Sequence, residues 1–191
     1  IYSIRIHKQF SCKKSKNTYN FAIILIKLIK MVNNISNINI DPTDLKILKK
    51  LQVEARISNI DLAGEVGISP SACLRRVRDL ESNGVIDKYV TIINPLILGL
   101  GVTVMISVTL EQQVEKALES FEKAVREWPE IMETYLMTGD SDYLLRVVVS
   151  DLPAYEKFLM ERLTKLPGIS SIKSSFALKE ILHRTALPIK V

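Results

Sequence analysis

The sequence predicts an α+β fold in two parts: three short helices, then a sandwich of order βαββαβ. Three observations lead there. Between Asp41 and Gly84 the apolar residues recur at helical spacing in three blocks, each opened by a capping residue. From Val102 onward, runs rich in β-branched residues alternate with two amphipathic stretches closed by Pro or Gly. Pro95 to Gly101, with its paired Gly99 and Gly101, separates the two patterns as a hinge.

The chain has 191 residues, of which 47% are hydrophobic and 25% charged. That is ordinary globular composition, long enough for one large or two small domains, and it excludes collagen-like, coiled-coil and wholly disordered chains. Two cysteines, Cys12 and Cys73, and two histidines, His7 and His183, are too few for a disulfide scaffold or a His/Cys zinc site. No metal or other cofactor is expected, and the compartment read from this cysteine usage is a reducing cytoplasm. The formal net charge of +5 suggests an acidic partner until it is divided along the chain. Seven Lys and Arg and no acid fall within residues 1–30, and the rest of the chain carries 19 basic against 21 acidic groups. Bulk basicity is therefore no argument for nucleic acid.

Residues 1–40 read as a basic extension. Ile, Lys and Asn make up half of the first 30 residues, Gly and Pro are absent, and Met31 stands ten residues before the first helix signal. The expectation is a disordered segment or translated upstream sequence with the start at Met31. A surface-associating helix and a targeting signal are the alternatives. The apolar run Phe21 to Ile29 contains Lys27 and falls far short of the roughly 20 residues that span a bilayer. No small-x-small cleavage site follows it. No membrane partner is expected.

In residues 41–94, Asp41 caps and Pro42 opens a helix to about Gln52, with Leu45, Leu48 and Leu51 as its stripe. Ser58, with Asp61 three residues on, starts a second helix whose Leu62, Ala63 and Val66 share a face up to Gly67. Ser69 and Pro70 start a third, which ends at Asn83 and Gly84. With only Gly67-Ile68-Ser69 between the last two, this is the helix-turn-helix pattern. Val85, Ile86, Tyr89, Val90, Ile92 and Ile93 then suit a strand leading away, which makes the unit a winged one.

Residues 95–101 are the hinge, and residues 102–191 the second domain. Its predicted elements are a strand Val102 to Leu110, a helix Val114 to Trp128 and a strand Ile131 to Thr138. A turn Gly139 to Asp142 leads to a strand Tyr143 to Val149, a helix Pro153 to Leu166 and a strand Ile169 to Leu178. This order is the ferredoxin-like split unit, with both helices on one face of an antiparallel sheet. The bare face needs a cover, most simply a second copy of itself.

Steps of 100° put Cys73, Leu74, Val77 and Leu80 on one side of the third helix. Ser71, Ala72, Arg75, Arg76, Asp79 and Ser82 lie broadly opposite, with Arg78 toward the boundary. An arginine offers a planar fork to guanine O6 and N7 or to phosphate, and the first residues of such a helix reach base edges in the major groove. Ser69, Ser71, Ala72, Arg75, Arg76 and Arg78 are therefore the candidate contacts to double-stranded DNA. The competing reading is a solvated basic face on which Arg75 pairs with Asp79. Cys73 reads as a small hydrophobe of the core rather than a redox sensor. With His183 in the tail, no phosphate-binding Gly loop and no nucleophile motif, an enzyme is not expected.

With those residues in view, the chain resembles the Lrp/AsnC (feast/famine) family of prokaryotic transcription regulators. The resemblance runs from about Asp41 to Pro188. It is carried by "DPTDLKILKKLQVEARIS", "LAGEVGISPSACLRRVRDLESNGVI", "MTGDSDYLLRVVV" and "LPGISSIKSSFALKEILHRTALP". It implies an N-terminal DNA-binding domain and a C-terminal effector domain. It also implies sheet-to-sheet homodimers that assemble to tetramers, octamers or larger discs, and a small effector, usually an amino acid, bound between dimers. Thr138, Gly139, Asp140 and Asp142 fall on the family's turn beside the ligand cavity. Main-chain N–H groups around Gly139 suit an α-carboxylate, and Asp140 or Asp142 an α-ammonium. A plain hairpin turn is the competing reading, and a metal there lacks a third ligand. Ser170 to Ser175 is expected to line the same cavity from another side. The rival function is an amino-acid-binding oligomeric module without specific operator binding, against which the intact segment Asp41 to Gly84 argues.

Overall fold

The computed structural model describes residues 39–190; the expectations for the basic extension and Met31 fall outside the described residues. The three helices are α1 (Pro42–Leu51), α2 (Asn59–Val66) and α3 (Pro70–Ser82). Each starts where a side chain accepts an otherwise orphaned N–H: Asp41 from Asp44, Ser58 from Asp61 and Ser69 from Ala72. At α1 the cap is reciprocal, because the Asp44 carboxylate also accepts the Asp41 N–H at 3.1 Å. Gly67 closes α2 at φ 78°, a conformation that an L side chain resists, and so makes the tight turn into α3.

Ile47, Leu62, Ala63, Cys73 and Leu80 form the core of this unit. Two expectations are corrected. The fully buried residue of α1 is Ile47, with Leu48 and Leu51 packed beside it, so the stripe is turned from Leu45. Leu74, placed on the apolar side by its angle, is 40% exposed, because one step of 100° from Cys73 carries it past the contact with α1 and α2.

The strand expected over Val85 to Ile93 does not form among the described residues. Val85 and Ile86 pack on the helical core and donate their N–H groups to Leu80 O at 2.9 and 3.1 Å, while Val90, Ile92 and Ile93 stand about 60% exposed. β-Propensity reports fit to a pleated surface, and this segment pairs with none of the described strands. Residues 95–101 form a turn in which Leu98 N–H donates to Pro95 O at 3.1 Å and Gly99 N–H to Leu96 O at 3.1 Å.

The second domain comprises β1 (Val102–Leu110), α4 (Glu115–Arg126), β2 (Ile131–Leu136), β3 (Tyr143–Val149), α5 (Leu152–Glu161), a single 3₁₀ turn (Leu163–Lys165) and β4 (Ile169–Phe176). The last strand and β2 are each two residues shorter than expected. The helix expected to Leu166 tightens into the 3₁₀ turn after Glu161. All neighbours in the sheet order β2-β3-β1-β4 are antiparallel. Period-two alternation sends Val104, Ile106, Val108 and Leu110 of β1, with Tyr143, Leu145, Val147 and Val149 of β3, into one core with Phe121, Val125, Tyr155 and Phe158 from the helices. Thr103, Met105, Leu144, Arg146 and Val148 occupy the opposite face, half-buried and without a helix.

Candidate nucleic-acid interface and effector turn

The buried side of α3 is Cys73 and Leu80, and burial pushes the Cys73 thiol up, as expected of a packed hydrophobe. That packing turns Ser71, Arg75 and Arg78 to solvent and leaves Ala72 half-buried. Ser69, at the cap, accepts from Ala72 N–H at 3.3 Å and lies 3.2 Å from the Ser71 hydroxyl. Arg75 reaches Asp79 at 3.4 Å, with both side chains well exposed, and a pair of that kind contributes only tenths of a kcal/mol. It leaves the guanidinium free to exchange partners.

Arg76 is differently placed. Its Nη1 lies 2.7 Å from Asp41 Oδ2 and 2.8 Å from Asp44 Oδ1. The two carboxylates of the α1 capping box therefore spend their remaining acceptors on one arginine of α3. Those carboxylates raise the Arg76 guanidinium pKa further. The Asp44 N–H, aided by Arg76, holds the Asp41 carboxyl below its usual range. Asp41-x-x-Asp44 was a legible signal for the cap; its link to Arg76 was not, because 32 to 35 positions separate the partners. Two further tethers lay beyond sequence reach. Asn59 Nδ2 donates to Pro70 O at 2.8 Å, tying the starts of α2 and α3, and Tyr89 Oη donates to Glu81 at 3.0 Å from the segment after α3. Burial first, then Glu81, pushes the Tyr89 pKa up to about 12.

The turn between β2 and β3 separates its two acids. Asp142 is buried and points inward: one carboxylate oxygen accepts the Leu110 N–H at 2.7 Å and the other accepts from Gln113 Nε2. Its main chain is paired as well, N–H to Val108 O at 2.9 Å and C=O from Met137 N–H at 2.8 Å. Thr138, Gly139 and Asp140 are exposed, and Gly139 sits at φ 131°, a conformation that favours glycine. Of Ser170 to Ser175, the start of the segment lies beside this turn within one chain. Thr109, whose hydroxyl contacts Asp140 O at 3.5 Å, pairs with Ser171, whereas Ser175 pairs with Met105, so β4 runs away from the turn. Ser174 faces the helices, bonded to the Tyr155 hydroxyl.

Among the described residues no group of three or more His, Cys, Asp or Glu side chains is placed to hold a metal ion, and no helix is long and apolar enough to cross a membrane. A helix-turn-helix with an outward arginine face, joined by a short turn to a four-stranded αβ sandwich, defines the class of two-part helix-turn-helix proteins. Residues 40–87 match the winged helix-turn-helix DNA-binding model, and residues 103–187 the Lrp/AsnC ligand binding domain. The Bkd operon transcriptional regulator of Pseudomonas aeruginosa is 45% identical over 150 residues, 78% of this chain and 98% of that protein. The leucine-responsive regulatory protein of Escherichia coli K12 is 40% identical over 152 residues, 80% of this chain and 93% of that one. A Neisseria meningitidis transcriptional regulator, solved as its L-methionine complex, superposes with a TM-score of 0.75 at 39% identity, covering 78% of this chain and 97% of that one. The chain belongs to the Lrp/AsnC family of transcriptional regulators, and it is a DNA-binding, effector-responsive protein.

Proposed function

We propose that this regulator reads operator DNA as a homodimer through Arg75 and Arg78 of α3. An amino acid received at the Thr138-Gly139-Asp140 turn changes its assembly and thereby its affinity for DNA. The observation that carries the reading is the division of α3 into a packed side, Cys73 and Leu80, and an outward side on which two of its three arginines have no buried partner. Ser69, Ser71 and Ala72 stand at the helix N-terminus, where main-chain N–H groups and short side chains suit phosphate and base edges. Arg76 serves the interface by holding α3 on α1 rather than by touching a base.

For the effector, main-chain N–H groups around Gly139 suit the α-carboxylate and Asp140 the α-ammonium. Asp142 supports the turn from within, because its two oxygens are already engaged. The L-methionine seen with the Neisseria regulator and the leucine response in the name of the Escherichia coli relative support an amino acid as the ligand class. The half-buried sheet face with Met105, Leu144 and Val148 is the surface on which a second copy would pack, and tetramers, octamers or larger discs follow from further contacts between dimers.

A thermal-shift screen of the common amino acids, followed by sedimentation and operator binding with and without the best of them, tests the proposal. A ligand bound only by the native state raises the melting temperature. The expected result is one or a few amino acids that raise it, shift the oligomer distribution and change operator affinity. A protein that binds DNA but answers to no amino acid in any of the three measurements removes the effector assignment.

A further inference from the structure

Two segments leave the sheet at the same end. The hinge enters β1 at Val102, and β4 finishes beside it, Phe176 facing Val104 and Ala177 N–H donating to Thr103 O at 2.9 Å. The hinge leads back to α3 along an exposed path from Asp87 to Gly101. The tail after β4 is exposed as well, at Leu178, Ile181 and Leu182, yet it returns to the helices. There Leu187 N–H donates to Gln52 Oε1 at 2.6 Å and Gln52 Nε2 donates to Leu187 O at 3.3 Å, across 135 positions of sequence.

Gln52 is the residue that caps the C-terminus of α1. Its amide engages both main-chain groups of a single tail residue, as a neighbouring strand would. The tail is shaped for this contact: Ile189 N–H also donates to Leu187 O, at 2.8 Å, which closes a three-residue turn around Pro188. Proline supplies the φ that such a turn requires. The Leu187 side chain is 72% exposed, so apolar burial does not hold the tail here and the amide pair does.

We infer that this clasp is a second attachment that fixes the orientation of the helix-turn-helix unit on the C-terminal domain, which makes Gln52 a positioning residue for operator recognition. A single exposed connection lets the unit swivel, whereas two attachments at different points restrain it. The consequence appears in DNA choice. A dimer must offer its two α3 helices to half-sites about one helical turn apart, and the fixed orientation of each unit selects that separation. The inference rests on the homodimer proposed above.

The test is in-vitro selection of operators from a random DNA pool by the wild-type chain, by Gln52→Ala and by Leu187→Pro. The proline variant removes the tail N–H and leaves α1 untouched. The wild type is expected to yield a single dominant half-site separation, and both variants a spread of separations with unchanged half-site sequence and melting temperature. Identical separation profiles for all three, or no preferred separation in the wild type, overturns the inference. Sedimentation keeps the underlying dimer reading separate. If the wild type is monomeric, the dimer falls, and amide exchange at Leu187 decides the clasp. Protection in the wild type that Gln52→Ala abolishes supports it, and an unprotected Leu187 in the wild type refutes it.

Discussion

Arg76 Nη1 lies 2.8 Å from Asp44 Oδ1, so the middle arginine of α3 is joined to the first turn of α1. Asp44 is buried, with its side chain only 12% exposed, and a carboxylate in that position depends on its partner. The relationship separates three arginines that neighbour one another in sequence into two roles.

The first prediction follows from that division. Arg76→Ala leaves the Asp44 carboxylate without its cation and should lower the stability of the helical unit while leaving the salt slope of DNA binding unchanged. Arg75→Ala should cost roughly 1–3 kcal/mol on the preferred operator and relax base choice. Arg78→Ala, if phosphate is its partner, should weaken all sequences alike and lessen the salt slope by about one. Chemical denaturation together with binding isotherms at several salt concentrations checks all three. A reduced slope for Arg76→Ala with full stability would reassign it to DNA.

Asp140 and Asp142 should part company in the same way. Asp142→Asn weakens a buried charge-assisted acceptor of the Leu110 N–H and should cost about 1–3 kcal/mol of stability. Asp140→Asn alters an exposed turn residue and should leave stability within about 0.5 kcal/mol while abolishing the amino-acid response. Denaturant titration and ligand-dependent sedimentation read the two effects. An amino-acid response that survives in Asp140→Asn makes that carboxylate an ordinary turn residue.

Gly139→Val places a β-branched side chain at φ 131°. No heavy atom lies within 4 Å of the added Cβ, so the cost is backbone strain alone, on the order of 1–3 kcal/mol. Gly64→Ala, in α2 with equally open surroundings and no positive φ, is the matched control and should be neutral or slightly stabilising. Comparable losses at both positions would remove the conformational explanation.

The bare sheet face carries a pH dependence. Hydrogen bonds from Arg146 first, then Tyr135, hold the Glu133 carboxyl below its usual range. A carboxyl depressed in the folded state contributes stability above its unfolded pKa, about 4.3, and loses it as pH falls through the lower folded value. Wild-type melting temperature should therefore drop on acidification below about pH 5, and Glu133→Gln should flatten that part of the curve. Parallel slopes for the two proteins through this range would contradict the assignment.

Local features were legible without coordinates. Asp41, Ser58 and Ser69 announced three helix starts, Gly67 and Gly84 two stops, and the alternation in Val102 to Leu110 and Tyr143 to Val149 marked two strands to the residue. Each of these depends on neighbours within about one helical turn or on the two-residue repeat of a strand, so the sequence itself holds the determining partner. The same argument explains the miss over Val85 to Ile93, where β-branched residues favour extension but pairing needs an edge from elsewhere.

What the tertiary structure decided is which equivalent-looking side chains are spent inside the fold. Arg75 and Arg76 are one step apart on α3, yet only Arg76 meets the α1 carboxylates. Asp140 and Asp142 are two steps apart in one turn, yet only Asp142 is drawn under β1. Gln52 has no local mark at all and finds its partner 135 positions away. Periodicity assigns a residue to a face of its own element, but the partner on the neighbouring element is chosen by packing. Whether a charge stays free for DNA or for a ligand is therefore decided only when the elements meet.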